Sequence, residues 1–162
     1  MAKKEILEKT NAMRKLDAMK ISFREYTYEG DGTQTGVEIA GMLGQNADQV
    51  FKTLVTAGRT GQHYVFMIPV ACELDLKKAA RAVGEKSVEM VKSKELLPLT
   101  GYVHGGCSPI GMKKFFKTTV HETAILYDTI IFSGGRIGYQ MELPLESLQQ
   151  VIPLQTADVV KE

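Results

Sequence analysis

The chain has no tryptophan, two cysteines and five prolines in 162 residues, and no charge excess, with 20 Lys and Arg against 19 Asp and Glu for a formal net charge of +1. Each shortage excludes something. Two cysteines, Cys72 and Cys107, are too few for a disulfide framework, and neither sits in a CxxC redox or zinc motif, so a reducing, cytoplasmic setting is expected. A near-balanced charge is far from the basic excess of proteins that coat long duplexes. No DNA partner is therefore expected, and an RNA contact should be small. No apolar run is long enough to cross a bilayer, and the opening residues lead into Glu8, Lys9, Arg14 and Lys15 instead of a signal-peptide apolar stretch, so no membrane association or export is expected.

What is present is ordinary globular composition: 44% hydrophobic, 24% charged, 15 glycines. The length suits one domain over residues 1–162 that builds its core without disulfides or metals, and no repeat or linker interrupts it. Ile6, Leu7, Met13, Leu16 and Met19 recur at helical spacing and predict an amphipathic helix over 5–19. Residues 21–28 alternate as a strand, 29–32 form a turn, and Val37, Ala40 and Leu43 before Gly44 predict a short helix with a glycine stop.

Apolar and β-branched content over 50–57 and again over 63–70, across turn residues 58–61, predicts a hairpin. Asp75 is placed to cap a helix ending at Gly84. A short strand over 87–91 and a helix over 93–97 precede a glycine-rich loop from 100 to 111. Strands follow near 118–121, 129–132 and 139–143, with a helical turn over 122–127 and a closing helix through Leu145, Leu148 and Val151. Interspersed short elements joined by tight turns predict an α+β fold with a mixed, largely antiparallel sheet surrounded by helices.

The usual catalytic signatures are missing. No GxSxG elbow singles out a nucleophile to go with His63, His104 or His121. His104 and Cys107 are only two candidate ligands on one flexible loop, so no metal is expected. No GxxxxGK[ST] or dinucleotide fingerprint is present, and no cofactor is expected. Cys107, in Gly105-Gly106-Cys107-Ser108-Pro109, reads either as a nucleophile activated by backbone amides or, with better support, as a small loop residue. Cys72 reads as a core residue.

Lys52 stands apart. In Val50-Phe51-Lys52-Thr53-Leu54-Val55, alternation sets Phe51, Thr53 and Val55 on one face and Lys52 with Leu54 on the other. A cation among apolar neighbours is either an edge-strand lysine that reaches solvent or a site residue, and local sequence leaves both open.

Four segments taken together, in order and spacing, resemble the YbaK/EbsC family: Asp48-Gln-Val-Phe-Lys-Thr-Leu-Val55, Leu74-Asp-Leu-Lys-Lys78, Gly101-Tyr-Val-His-Gly-Gly-Cys-Ser-Pro-Ile-Gly111 and Ser133-Gly-Gly-Arg-Ile-Gly138. The resemblance covers nearly the whole chain. It implies a barrel-like sheet shared with editing domains associated with prolyl-tRNA synthetase, and deacylation of mischarged tRNA, above all Cys-tRNA(Pro). It makes Lys52 the central pocket residue, with Tyr28, Thr35, Thr53, Gly105, Gly106, Ser133 and Gln140 around the aminoacylated 3′ end of tRNA, and prolyl-tRNA synthetase a partner. Thr35 stands where an aromatic residue is typical of the Cys-specific pattern, and Gln140 where an acidic one is. These departures keep Ala-tRNA(Pro) or another small aminoacyl-tRNA, cleaved by water, as an alternative, beside a noncatalytic module that binds nucleotide ends or a synthetase.

Overall fold

The structure is a computed structural model that describes residues 9–162. The first helix, α1 (Asn11–Ala18), starts later than its predicted range, and Ile6 and Leu7 lie outside the described residues. Its start is set by Thr10, whose hydroxyl accepts from the Met13 amide at 3.1 Å and donates to the Gly134 carbonyl at 2.5 Å, tying the cap to a distant loop. Ala12, Met13 and Leu16 form its buried stripe.

The elements then run β1 (Arg24–Thr27), α2 (Gly36–Leu43), β2 (Phe51–Gly58), β3 (His63–Pro69), α3 (Leu76–Val83), β4 (Val88–Met90), α4 (Ser93–Thr100), β5 (Lys117–His121), β6 (Ile130–Ser133), β7 (Tyr139–Leu143), α5 (Leu145–Val151) and β8 (Leu154–Ala157). Two of the helices are capped at their starts by side chains, α3 by the expected Asp75 and α2 by Thr35, which is not among the expected caps. Thr35 and Glu38 form a reciprocal capping box on α2, which ends at left-handed Gly44; Asp75 accepts from the Lys77 and Lys78 amides at the start of α3, which ends at left-handed Gly84.

The α+β class and the mixed sheet are as expected, but the sheet does not close into a barrel. It forms two sheets, β1-β7-β6 and β4-β2-β3-β5-β8, joined by a parallel bridge between Val50 and Ile131. Four of the six strand pairings in the described residues are antiparallel; β5 pairs β3 in parallel and β8 pairs β5 in parallel. Strand β8 has no counterpart among the predicted elements.

Alternation along the β2–β3 hairpin distributes side chains to two sides of the larger sheet. Phe51 and Met67 pack with Met13, Leu16, Phe132, Met141 and Leu148; Phe66 and Ile68 pack with Ala79 and Ala80 of α3. Burial of each of these large side chains stabilises the fold by about 1.5–3 kcal/mol. A third cluster unites Val55 and Val65 with Leu96 of α4, Tyr102, Cys107 and Phe116.

The chain end is docked through His121, which is buried at the end of β5 and whose Nδ1 accepts from the Val159 amide at 3.3 Å. Burial holds its pKa below the ordinary value, an effect that Asp158, 3.9 Å away, and Glu122 oppose and Lys78 reinforces. A histidine neutral in the folded state and free to protonate once unfolded favours unfolding as pH falls below its unfolded value of about 6.5. Urea midpoints should therefore drop between pH 7.5 and the lower folded value, before the carboxylates titrate. His121→Asn should flatten that dependence.

Candidate active site

Strand β2 is bonded to β3 along its whole length but to β4 only at Thr56–Gly58, which leaves Phe51–Leu54 as a free edge. Just before it, Val50 bridges Ile131, and its carbonyl accepts the Val70 amide at 2.8 Å. Buried Ala40, Val50, Val70 and Ile131 pack into one cluster around this junction. Beyond it β2 and β6 separate, and a cavity of about 580 Å³ opens between the free edge, the start of α2, the 104–107 loop and the ends of β6 and β7.

The register determines which backbone groups face the cavity. The Val50 carbonyl accepts from the Val70 amide and the Gly58 amide donates to the Gln62 carbonyl, both on the β3 side, whereas the Val55 carbonyl takes the Val91 amide on the opposite side. By the same alternation the Thr53 backbone N–H and C=O point out along the free edge. The Thr53 hydroxyl is also buried without a hydrogen-bond partner among the described residues, so this edge presents polar groups that nothing in the fold uses.

Lys52 lines the cavity from a half-buried position opposite Ile68, on the sheet face shared with Leu54 and Phe66. Among the described residues its ammonium makes no ion pair or hydrogen bond. The one carboxylate in the lining among the described residues, Glu73, is exposed and paired with Lys161 at 3.1 Å. A lysine so placed suits an anionic or strongly dipolar oxygen of a bound molecule.

The structure also brings Tyr28, Thr35, Thr53, Gly105, Ser133 and Gln140 to this cavity. The Tyr28 amide donates to the Gly138 carbonyl at 2.9 Å, and Ser133 Oγ accepts from the Gly135 amide at 3.1 Å, so both are braced on the 134–138 turn. Thr35 spends its oxygen on capping α2, accepting from the Glu38 amide at 3.1 Å. Gln140 is 6% exposed, and its Oε1 accepts from Gln45 Nε2 at 2.7 Å. Gln45, which follows the glycine stop of α2, escaped sequence reasoning because nothing local marks it.

Gly106 is placed differently from Gly105. It does not line the cavity; it is buried, and its amide already donates to the Val103 carbonyl at 3.0 Å. A Cβ built there would lie 2.8 Å from the Ile137 backbone nitrogen, so its lack of a side chain lets the 101–111 loop pack on the 134–138 turn. The backbone amide of its neighbour Gly105, at φ +88° on the cavity wall, has no acceptor among the described residues.

Cys107 lines the cavity, yet burial pushes its thiol up to about 12, with Thr100 pulling the other way. It is a neutral thiol near pH 7, which suits the small loop residue and not the nucleophile. Cys72 also reaches the cavity instead of being wholly buried in the core. The histidines do not gather: His104 is on the rim, His63 stands against the Phe116 ring at 5.4 Å, and His121 holds the chain end. Among the described residues no three His, Cys, Asp or Glu side chains come within range of a shared metal.

Residues 31–151 match the family model of the aminoacyl-tRNA editing domain. Over 160 residues, 98% of each chain, the protein is 44% identical to EbsC of Enterococcus faecalis, a candidate Cys-tRNA(Pro)/Cys-tRNA(Cys) deacylase. A 77-residue stretch, 48% of the chain, is 30% identical to a proline–tRNA ligase of Pelobacter propionicus and spans 13% of that enzyme. Among solved structures, a candidate trans-editing enzyme for prolyl-tRNA synthetase superposes with a TM-score of 0.82 at 25% identity, over 96% of this chain and 100% of that one.

The contact at Gly106 generates a stability prediction. Gly106→Ala forces a methyl against the 136–137 backbone and should destabilise the fold by about 1–3 kcal/mol, the usual range for overpacking. An unchanged urea midpoint would mean that the two loops separate freely.

Proposed function

Because the chain belongs to the aminoacyl-tRNA editing domain family, we propose that it clears mischarged Cys-tRNA(Pro) by ester cleavage, acting in trans to the synthetase that charged it. The observation that carries this reading is Lys52, a cation with no partner among the described residues, at the free edge of β2, facing a cavity whose one carboxylate among those residues, Glu73, is exposed and paired with Lys161. That arrangement suits an aminoacyl ester on a terminal ribose, with its adjoining phosphate.

In the mechanism proposed, Lys52 anchors and polarises the terminal adenosine or the ester, and the Gly105 amide donates to the developing oxyanion. The Gly106 amide takes no part, since Val103 already holds it. The substrate's own thiol is the nucleophile. Its sulfur bonds to the ester carbonyl carbon, the ester C–O bond breaks, and the thiol proton passes to the leaving ribose oxygen. This releases deacylated tRNA and a cyclic thioester that water opens. Proximity within one aminoacyl group replaces a nucleophile from the protein, consistent with the neutral, buried thiol of Cys107.

Gln140 favours a second reading. It places a neutral amide where an acidic residue is typical of the Cys-specific pattern, and Thr35 replaces an aromatic one, so the cavity also suits Ala-tRNA(Pro) or another small residue attacked by an ordered water. Prolyl-tRNA synthetase is the partner proposed to select the tRNA. The similarity of half of this chain to part of a proline–tRNA ligase supports that pairing.

A panel of mischarged tRNAs tests the assignment. Cys-tRNA(Pro) should be cleaved over many turnovers and much faster than the matching Ser-tRNA, because a hydroxyl is the poorer internal nucleophile near neutral pH. Equal rates would remove the thiol mechanism, preference for Ala-tRNA(Pro) would select the water reading, and binding without turnover would select a noncatalytic module. Lys52→Ala should lower kcat/KM by about two to three orders of magnitude, the usual loss for one oxyanion-stabilising group. Cys107→Ala should leave turnover largely intact, and the reverse pattern would restore an enzyme thiol.

A further inference from the structure

The near-zero net charge conceals an uneven distribution. Residues 86–117 carry six lysines, two glutamates and no aspartate or arginine, net +4, so the remaining 130 residues are net −3. The fold gathers much of this segment on one side. Thr100 at the end of α4 accepts the Lys113 amide at 3.0 Å, the Lys113 side chain lies against Gly101, and Tyr102 donates its hydroxyl to the Ile110 carbonyl at 2.5 Å. The 101–116 loop is thereby braced on α4, with Lys113, Lys114 and Lys117 all exposed and Lys94 exposed on α4 itself.

These lysines differ from others in the molecule. Lys9, Lys78 and Lys161 are paired with Asp17, Asp158 and Glu73. Among the described residues Lys94, Lys113, Lys114 and Lys117 have no ion pair, and the nearby Glu95 is committed to the Lys92 amide at the start of α4. An aromatic ring lies within the group, since Phe115 is 50% exposed between Lys114 and Lys117. Unpaired cations flanking an exposed ring suit a polyanion that carries stacking bases.

The position relative to the cavity is equally specific. Phe116 packs inward on Leu96 and Cys107, and those two residues line the cavity from the other side. Lys114 and Lys117 thus flank a segment whose Phe116 is separated from the cavity only by Leu96 and Cys107.

We propose that the face made by α4 and residues 112–117 is where the phosphate backbone of the tRNA acceptor arm lies while its aminoacylated end occupies the cavity. This rests on the editing reading and adds the surface on which the RNA docks. It also reconciles a neutral chain with a polyanionic substrate, because a few phosphates held by a local patch need no overall basic excess.

The test compares the triple variant Lys113→Gln, Lys114→Gln, Lys117→Gln with the corresponding triple change to Arg and with a control, Lys77→Gln, Arg81→Gln, on exposed α3. Each is assayed on full aminoacyl-tRNA and on an aminoacylated CCA trinucleotide, over a range of salt. With the Gln triple, KM for aminoacyl-tRNA should rise about tenfold or more, and the log–log salt slope should lose about two to three units, roughly one per phosphate contact. The kcat on tRNA and all constants on the trinucleotide should stay unchanged, and the Arg triple and the control should match the parent.

An unchanged KM and salt slope on tRNA would overturn the proposal. So would an equal loss on both substrates, which would place the effect in the cavity, or an equal effect of the α3 control. If the parent protein deacylates neither substrate, the editing reading fails by itself. The surface is then judged by anisotropy titrations of uncharged tRNA with the same variants, where equal affinities would overturn it.

Discussion

The arrangement of the site depends on the junction at Val50. There the chain bridges Ile131 of the smaller sheet and its carbonyl accepts the Val70 amide beside the larger one, with Ala40 packed in the same cluster. The two sheets are pinned together at that point and diverge from it. Because β4 joins β2 only from Thr56 onward, the first half of β2 keeps an open edge inside the molecule. An open edge normally invites another strand. Here the cavity walls shield it, leaving the Thr53 backbone and hydroxyl as unused polar groups beside Lys52.

Glycine-rich loops close the cavity from the other side. A Cβ at Gly105 would lie 3.6 Å from Gly32 Cα, and one at Gly106 would press on the 136–137 backbone, so three loops approach at backbone distance. Gly105 and Gly106 are adjacent in the chain yet divide the work: one exposes an unclaimed amide on the wall, and the other makes the packing possible that holds that amide in place. The division follows from Val103, which takes the second amide and not the first.

Electrostatics adds direction to this geometry. Among the described residues the cavity holds one unpaired lysine, and its one carboxylate, Glu73, is paired with Lys161. Outside the cavity, positive charge concentrates on the α4 side while the rest of the chain is net negative. In the proposed reading, that face guides an anionic substrate and Lys52 anchors its end, while the raised pKa of the buried Cys107 thiol argues against a nucleophile from the protein.

Much of the fold was legible because it is local. Asp75 and Gly84 bound α3, Gly44 ends α2, and the β2–β3 and β6–β7 hairpins follow from turns a few residues long. Lys52 was conspicuous for a similar reason, as a cation in an apolar strand. Strand β8 and the parallel pairings of β3, β5 and β8 were not legible, since they depend on partners more than thirty residues apart and no turn announces them. The open two-sheet arrangement in place of a barrel is non-local in the same way. What the sequence by itself determined was most of the elements, some of their ends and the residue types able to serve a site. Only tertiary structure decided that Lys52 faces a cavity instead of solvent, that Gly106 packs while Gly105 is free, and that Gln45 reaches Gln140. Those outcomes are set by distances between segments far apart in the chain, which local preference does not encode.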